Sequence, residues 1–377
     1  MVTPEGRNSE FSRRDMMTLA AGLGAGALVT GAITPAARAS TTLAPDFVGM
    51  TSVRDYGAVG DGSTDDTQAI QDAIDNAQRP GTSHATIIFP TGLYKITGTI
   101  NIIGKNNLSL IGMRASIIQY GVGDDLIRIQ NSQYTILRDL FLYSANGDSG
   151  NGITIVSSPR TILECVHIWD VGGHSVTASD SWWFSTRDCT FTTPGDGKYC
   201  VHHISQMHNV MHCHSRFAAG AIGLYHQNGV ALSVLGCDFS TNGVGLKFHA
   251  GGNMHCSNSY FEANVVGIQW GDNAANTWPM SGSIENCYLT NRNASVNPIH
   301  IDVQRGTNLR IIGPYMLGNG SYNPASAGTT IGIRINNNCN AAQNRQIVID
   351  DTPYKELVNT LIDDPGARLK RVMLQNY

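Results

Sequence analysis

The sequence predicts an all-β solenoid, a single-stranded parallel β-helix with a capping helix at its N-terminal end, on two observations. A Gly-Ile-x-Ile-like pattern returns every 22 to 34 residues along the middle of the chain, and a second short apolar strand follows each return. Aligning the first inward residue of each copy gives Ile127, Ile153, Val176, Val201, Leu224, Leu246, Ile268, Ile299 and Ile333. Apolar and polar residues alternate within a copy, as in Ile153-Thr154-Ile155 and Leu246-Lys247-Phe248, so one strand face is buried and the other is wet. The second strands include Cys189-Thr190-Phe191, Cys237-Asp238-Phe239 and Cys287-Tyr288-Leu289, and turns rich in Asn and Gly follow them, as corners needing positive φ require. Periods near 23 also suit leucine-rich repeats, but the Leu-x-x-Leu-x-Leu spacing of those proteins is absent.

A chain of 377 residues with 41% hydrophobic content can bury a large core, and 41 glycines with 14% charged residues suit turn-rich β structure better than helical bundles. The net charge of -4 leaves no basic footprint for a nucleic-acid partner.

At the N-terminus, Ser12-Arg13-Arg14-Asp15 precedes a weakly apolar Ala/Gly/Leu stretch and then Ala37-Arg38-Ala39. Paired arginines before such a stretch resemble a bacterial twin-arginine export signal, so residues 1–39 are expected to be removed and the protein to be periplasmic or extracellular, with no membrane association after cleavage. Sixteen Gly-rich residues are short for a retained span. Residues 40–50 then form a linker, 51–350 the solenoid, and 351–377, where the repeat is lost, a C-terminal cap or oligomer contact.

Asp65 or Asp66 can cap a helix beginning near Thr67, and Ala69, Ile70, Ala73 and Ile74 give it one apolar stripe. That helix would plug the open end of the solenoid. Of the eight cysteines, Cys165, Cys189, Cys213 and Cys237 recur every 24 residues, as small buried side chains in successive coils would. No CxxC pair points to a metal.

The segment Val53-Arg54-Asp55-Tyr56-Gly57-Ala58-Val59-Gly60-Asp61-Gly62, continuing through Asp65-Asp66-Thr67 to Ile87-Ile88-Phe89-Pro90-Thr91-Gly92-Leu93-Tyr94, resembles the opening of the pectate-lyase-like β-helix superfamily, which includes polygalacturonases and tailspikes. The resemblance spans about residues 50–350 and implies a right-handed parallel β-helix that binds extended glycans along its side. Relatives of this type are often trimers, which implies a homotrimer.

An acid stands five or six residues before the first strand on three consecutive coils: Asp148, Asp170 and Asp196. With coils about 4.8 Å apart, these carboxylates would be separated by roughly 5 to 10 Å, bracketing the spacings of retaining and inverting glycosidases. Polygalacturonases place catalytic acids in such turns; here the turns read Asn146-Gly147-Asp148, Asp170-Val171-Gly172-Gly173-His174 and Gly195-Asp196-Gly197. Order and spacing differ from that family, and no Arg-x-Lys follows, so a polygalacturonase proper is not expected.

His174 and His202 neighbour the acids and are the candidate proton-transfer histidines, whereas His203 and His226 fall in core columns. The outward column reads Arg128, Thr154, Thr177, His202, Tyr225, Lys247, Gln269, His300 and Arg334, a mixture suited to sugar hydroxyls and to an occasional carboxylate. Trp182 and Trp183 offer stacking faces for sugar rings, and Glu262 lies one step from the acid register.

The leading expectation is an exported glycoside hydrolase acting on a poly- or oligosaccharide through two of the three aspartates, with His174 or His202 assisting and no cofactor. A polysaccharide lyase is the second reading: the acids would hold Ca²⁺, and Lys247, Arg216 or a histidine would serve as base. Glycan transferases and isomerases occur on similar scaffolds. A non-catalytic glycan-binding β-helix is the third reading.

Overall fold

The computed structural model describes residues 50–77, 84–121, 123–145, 150–192, 197–272, 281–290, 298–305, 308–318, 330–336, 347–350, 354–356, 358, 360–363 and 371–373. The expected export signal and nearly all of the linker lie outside the described residues, as do Asp148 and Asp196.

Almost every described element is a short strand, and every strand pair is parallel. One ladder has 11 strands, running from Ile100–Ile103 through Val176–Ser179 and Val244–Phe248 to Thr360–Asp363. The other two ladders are joined because Leu108–Gln119 and Ile136–Ser144 run unbroken round a corner. The first half of Leu108–Gln119 pairs with Ala85–Phe89 and its second half with Gly92–Ile96. Three strands per lap make a parallel β-helix. Among the described residues no helix is long and apolar enough to cross a membrane.

The predicted inward column holds from Ile127 to Ile268: Ile127, Ile153, Val176, Val201, Leu224, Leu246 and Ile268 pair in that order and are all fully buried. Phe191, Phe217, Phe239 and Phe261 form a second interior column, with ring centroids 5.5, 4.8 and 4.7 Å apart. Such stacking adds about 0.5–1.5 kcal/mol per pair beyond the area buried.

Corners are built from residues at positive φ. Asn107, Asn209, Asn253 and Asn308 occupy one such column at φ between 51° and 58°. Inside another turn the amides of Asn242 and Asn264 stack: Asn242 Oδ1 accepts from the Gly220 N–H at 2.9 Å, and Asn264 Oδ1 accepts from the Asn242 N–H at 2.9 Å. Their Nδ2 groups donate to the Phe217 and Phe239 carbonyls at 3.0 and 2.7 Å, so these buried polar groups are matched coil by coil. The 24-residue cysteine spacing does not make one column. Cys189 and Cys237 are buried and alternate with Ser215 and Ser259, whose hydroxyls accept their backbone N–H groups, while Cys165 and Cys213 sit half-buried beside a corner.

At the N-terminal end the helix Thr67–Ala77 buries Ile70, Ala73 and Ile74. Asp66, 1% exposed, accepts from the Val59 and Gly60 N–H groups at 2.6 and 3.0 Å, and Asp65 accepts from the Thr67 N–H at 3.0 Å. Both carboxylates are taken up by backbone N–H groups around the start of the helix, where capping was expected. Tyr94 is buried and donates its hydroxyl to the Pro90 carbonyl at 2.8 Å.

Two sequence expectations are corrected. Ile268 pairs with Ile301 rather than Ile299, and Ile301 with Ile333, so the last two intervals are 33 and 32 residues and Asp302 replaces His300 in the outward column. Ile299 and Ile301 are both apolar at the same parity, so alternation alone cannot choose between them. His300 is 3% exposed and meets the Leu317 carbonyl through Nε2 at 2.9 Å. Coiling also passes residue 350: Tyr354 pairs with Tyr315, Thr360 with Ile331, and Arg371 with Val348.

Candidate functional site

The outward face of the 11-stranded ladder carries Arg128, Thr154, Thr177, His202, Tyr225, Lys247, Gln269, Asp302 and Arg334 in continuous register. Near its middle the polar row becomes a connected cluster. His202 stacks on Tyr225 with centroids 5.0 Å apart, Tyr199 meets both rings edge-on at 5.0 and 5.5 Å, and His174 stacks on Tyr199 at 4.8 Å. Lys247 Nζ lies 5.2 Å above the Tyr225 ring and 3.2 Å from Asp272 Oδ2. His249, two residues beyond Lys247 on the same face, places Nδ1 3.0 Å from the same Asp272 oxygen.

The protonation states follow from these contacts. His174 Nδ1 accepts from the Tyr199 backbone N–H at 2.8 Å, so its proton resides on Nε2. Burial, with the neighbouring His202 and Lys198 charges, lowers the His174 pKa to about 4, leaving a neutral ring that donates through Nε2. Burial also lowers His202, whose Nε2 is enclosed without a hydrogen-bond partner among the described residues. Tyr225 is raised to about 12 by burial and by the nearby Asp272 and Tyr199, so its phenol keeps its proton. For Asp272 burial acts upward, but the Lys247 hydrogen bond and charge and the His249 contact outweigh it and hold the carboxylate ionised. An ionised Asp272 orients His249 with Nδ1–H toward it, which in the neutral ring puts the lone pair on Nε2, the arrangement of a general base.

Other predicted residues lie apart from this cluster. Asp170 is a half-buried corner residue at φ 54° in the turn that leads to His174. Trp169 pairs with Tyr143 and Ile168 with Phe191 on the strands beside Asp170, while Asp148 and Asp196 lie outside the described residues. Arg128 pairs with Asp125 at 3.1 Å, and Gln269 is 8% exposed with Nε2 donating to the Gly271 carbonyl at 3.4 Å. Glu262 ends a strand of another ladder between Ser240 and Thr290. Trp182 and Trp183 occupy the corner that follows the strand Val176–Ser179, whereas His174 precedes that strand.

Sequence reasoning missed Tyr199, His249 and Asp272. Extending the outward column by one alternation beyond Lys247 reaches His249. Tyr199 and Asp272 stand where strands meet turns, and periodicity says nothing of side-chain direction there. Among the described residues no cluster of three or more His, Cys, Asp or Glu could hold a metal ion.

Several known proteins resemble the chain. It is 35% identical over 97 residues to alginate lyase 7 of Azotobacter vinelandii, a segment covering 26% of this chain and 11% of that protein. The matched segments span between 4% and 27% of the length of the curated relatives. The solved structure of PfbA, a surface adhesin of Streptococcus pneumoniae, superposes with a TM-score of 0.61 at 15% identity, covering 82% of this chain and 92% of the adhesin. The A-module of the Azotobacter vinelandii mannuronan C-5 epimerase AlgE6 gives 0.59 at 15% identity, covering 86% and 99% of the two chains. At such identities these structures establish the fold. The profile of rhamnogalacturonase A/epimerase, pectate lyase-like proteins matches residues 50–291, and the chain belongs to that family.

Proposed function

We propose that the protein is a carbohydrate-active enzyme that removes the proton next to the carboxylate of a uronate-containing glycan, with β-elimination as the outcome. The observation that carries this reading is the His249–Asp272–Lys247 arrangement beside Tyr225. His249 Nε2 takes the proton from the carbon bearing the carboxylate, and the electron pair moves toward that carboxylate. Lys247 offers a positive charge against it, doing there what a bound cation would do. The pair then expels the glycosidic oxygen at the neighbouring ring position, and Tyr225, still protonated, delivers a proton to that oxygen. His174 donates from Nε2 to a sugar oxygen and titrates too low to become a competing cation. The kinship with proteins named alginate lyase and mannuronan C5-epimerase supports a uronate substrate, because both names imply chemistry at that proton.

Hydrolysis through Asp148, Asp170 and Asp196 is the second reading, favoured by the half-buried Asp170 in the turn that leads to His174. Incubating the protein in D₂O with polymannuronate, polyguluronate and polygalacturonate separates the two. Proton abstraction gives an unsaturated product absorbing in the ultraviolet with no added water mass. A saturated product that has gained water, with no unsaturation at any pH, would replace the first reading with the second.

A further inference from the structure

We infer that a second glycan-binding site, round the strand end from His249, lies at the corner formed by Tyr134, Arg160, Trp182, Trp183 and His208, and that its ligand is an anionic sugar chain. Rather than resting on the reaction proposed above, the site stands on its own geometry.

Tyr134, Arg160 and Trp183 occupy the corner column that Asn107, Asn209, Asn253 and Asn308 occupy on other coils, at φ 57°, 61° and 55°. Asn tolerates that conformation, whereas large side chains adopt it at a cost. Three successive coils therefore hold bulky residues where the fold itself is satisfied by Asn. None of the three is used to fill the core. Tyr134, Trp182 and Trp183 are 46–47% exposed, and the Arg160 guanidinium lies 5.1 Å from the Tyr134 ring and 4.6 Å from the Trp183 ring. The aromatic faces fix a cation at the surface of the corner, where it can meet a carboxylate.

Beside this platform is a cleft of about 160 Å³ lined by Gln206, His208, Asn228, Gly229, Val230 and Gly251. The Trp182 ring lies 6.0 Å from His208. His208 Nδ1 accepts from the Val230 backbone N–H at 3.1 Å, so Nε2 carries the proton and can donate. Glycine lets successive coils approach closely at the wall of the cleft: a Cβ on Gly229 would fall 1.7 Å from the Met207 carbonyl oxygen, and one on Gly251 1.9 Å from that of Gly229. An indole face, two carboxamides and an imidazole N–H match a pyranose ring with its hydroxyls, and Arg160 selects for uronate. The strand Val176–Ser179, four residues or about 13 Å long, separates the tryptophan corner from His174, whereas Gly251 of the cleft follows His249 by two residues, so the site lies just beyond the strand end that carries the base.

Calorimetric titration of the full chain carrying His249→Ala tests the proposal without turnover, using trisaccharides of mannuronate, guluronate and galacturonate, with maltotriose as neutral control. Two binding events are expected for at least one uronate. Adding Trp182→Ala should weaken one of them about tenfold or more and spare the other, and Trp182→Phe should restore most of it. A single event unaffected by Trp182→Ala, equal binding of maltotriose, or a change of oligomeric state without any change in sugar binding would each overturn it. If no unsaturated product ever forms, yet Trp182→Ala still removes one event, the site stands while the proposed reaction falls.

Discussion

The Nδ1 atoms of His203 and His226 lie 3.0 Å apart on neighbouring coils inside the cylinder, and neither side chain has exposed surface. One nitrogen must donate and the other accept, so the contact suits two neutral rings. His212 stacks on His203 at 5.2 Å and meets the Thr186 hydroxyl through Nδ1 at 2.7 Å. The Nε2 atoms of all three are buried without partners among the described residues, so an added proton there is cut off from water.

Acid should therefore unfold this region. Burial, followed by charge repulsion from other histidines, lowers His212 and His226 to about 3 and His203 well below its ordinary value. The unfolded chain takes up these protons below about pH 6.5, while the folded chain does so only near the lowered values. Stability is thus complete above that pH and declines as the pH falls toward about 3. Melting temperatures by circular dichroism from about pH 7.5 to 4 should show this decline, and His212→Phe should make it shallower. An unchanged slope in that variant would remove His212 from the account.

His249→Ala and Asp272→Asn should each lower kcat by about 10²- to 10⁴-fold, the usual range for loss of a general base or its orienting partner. Circular dichroism of both variants should match the parent. Replacing Tyr225 with Phe should slow turnover and remove the alkaline limb of the rate profile, since the phenol titrates near 12.

Chelation is expected to leave turnover intact, because the positive charge facing the substrate carboxylate is assigned to Lys247. Lys247→Met should then lose activity that added Ca²⁺ does not restore. Full recovery with Ca²⁺ would move the electrostatic role from the lysine to an ion.

Asn242→Ala should cost about 3 kcal/mol. It leaves the Gly220 N–H and the Phe217 carbonyl without their amide partner inside a buried turn, and each such group costs about 1–3 kcal/mol. Denaturant midpoints measure this directly, and a loss below about 1 kcal/mol would mean the turn relaxes to satisfy itself.

Much of the architecture was legible because strand alternation writes the buried column directly into the chain: the pairing of Ile127 with Ile153, and onward to Ile268, could be read from residue types alone. The slip at Ile299 shows the limit, since two isoleucines at one parity are interchangeable to such a reading. Sites are harder. His202, Tyr225 and Lys247 emerged because they share a strand position, whereas Tyr199 and Asp272 reach the cluster from strand ends, where direction depends on corner backbone that no simple repeat encodes. The alternating polar column announces a surface; its chemistry comes from side chains that arrive across it.

The near-constant lap length also bears on how the chain finds its fold. Each ladder contact joins residues one lap apart, from 22 for Leu224 and Leu246 to 39 for Tyr315 and Tyr354. Loop-closure entropy grows only with the logarithm of loop length, and each lap closes on its neighbour, so a late coil costs about as much to close as an early one. Once one lap has formed, each neighbouring lap finds a template already laid, and assembly becomes a matter of winding rather than searching.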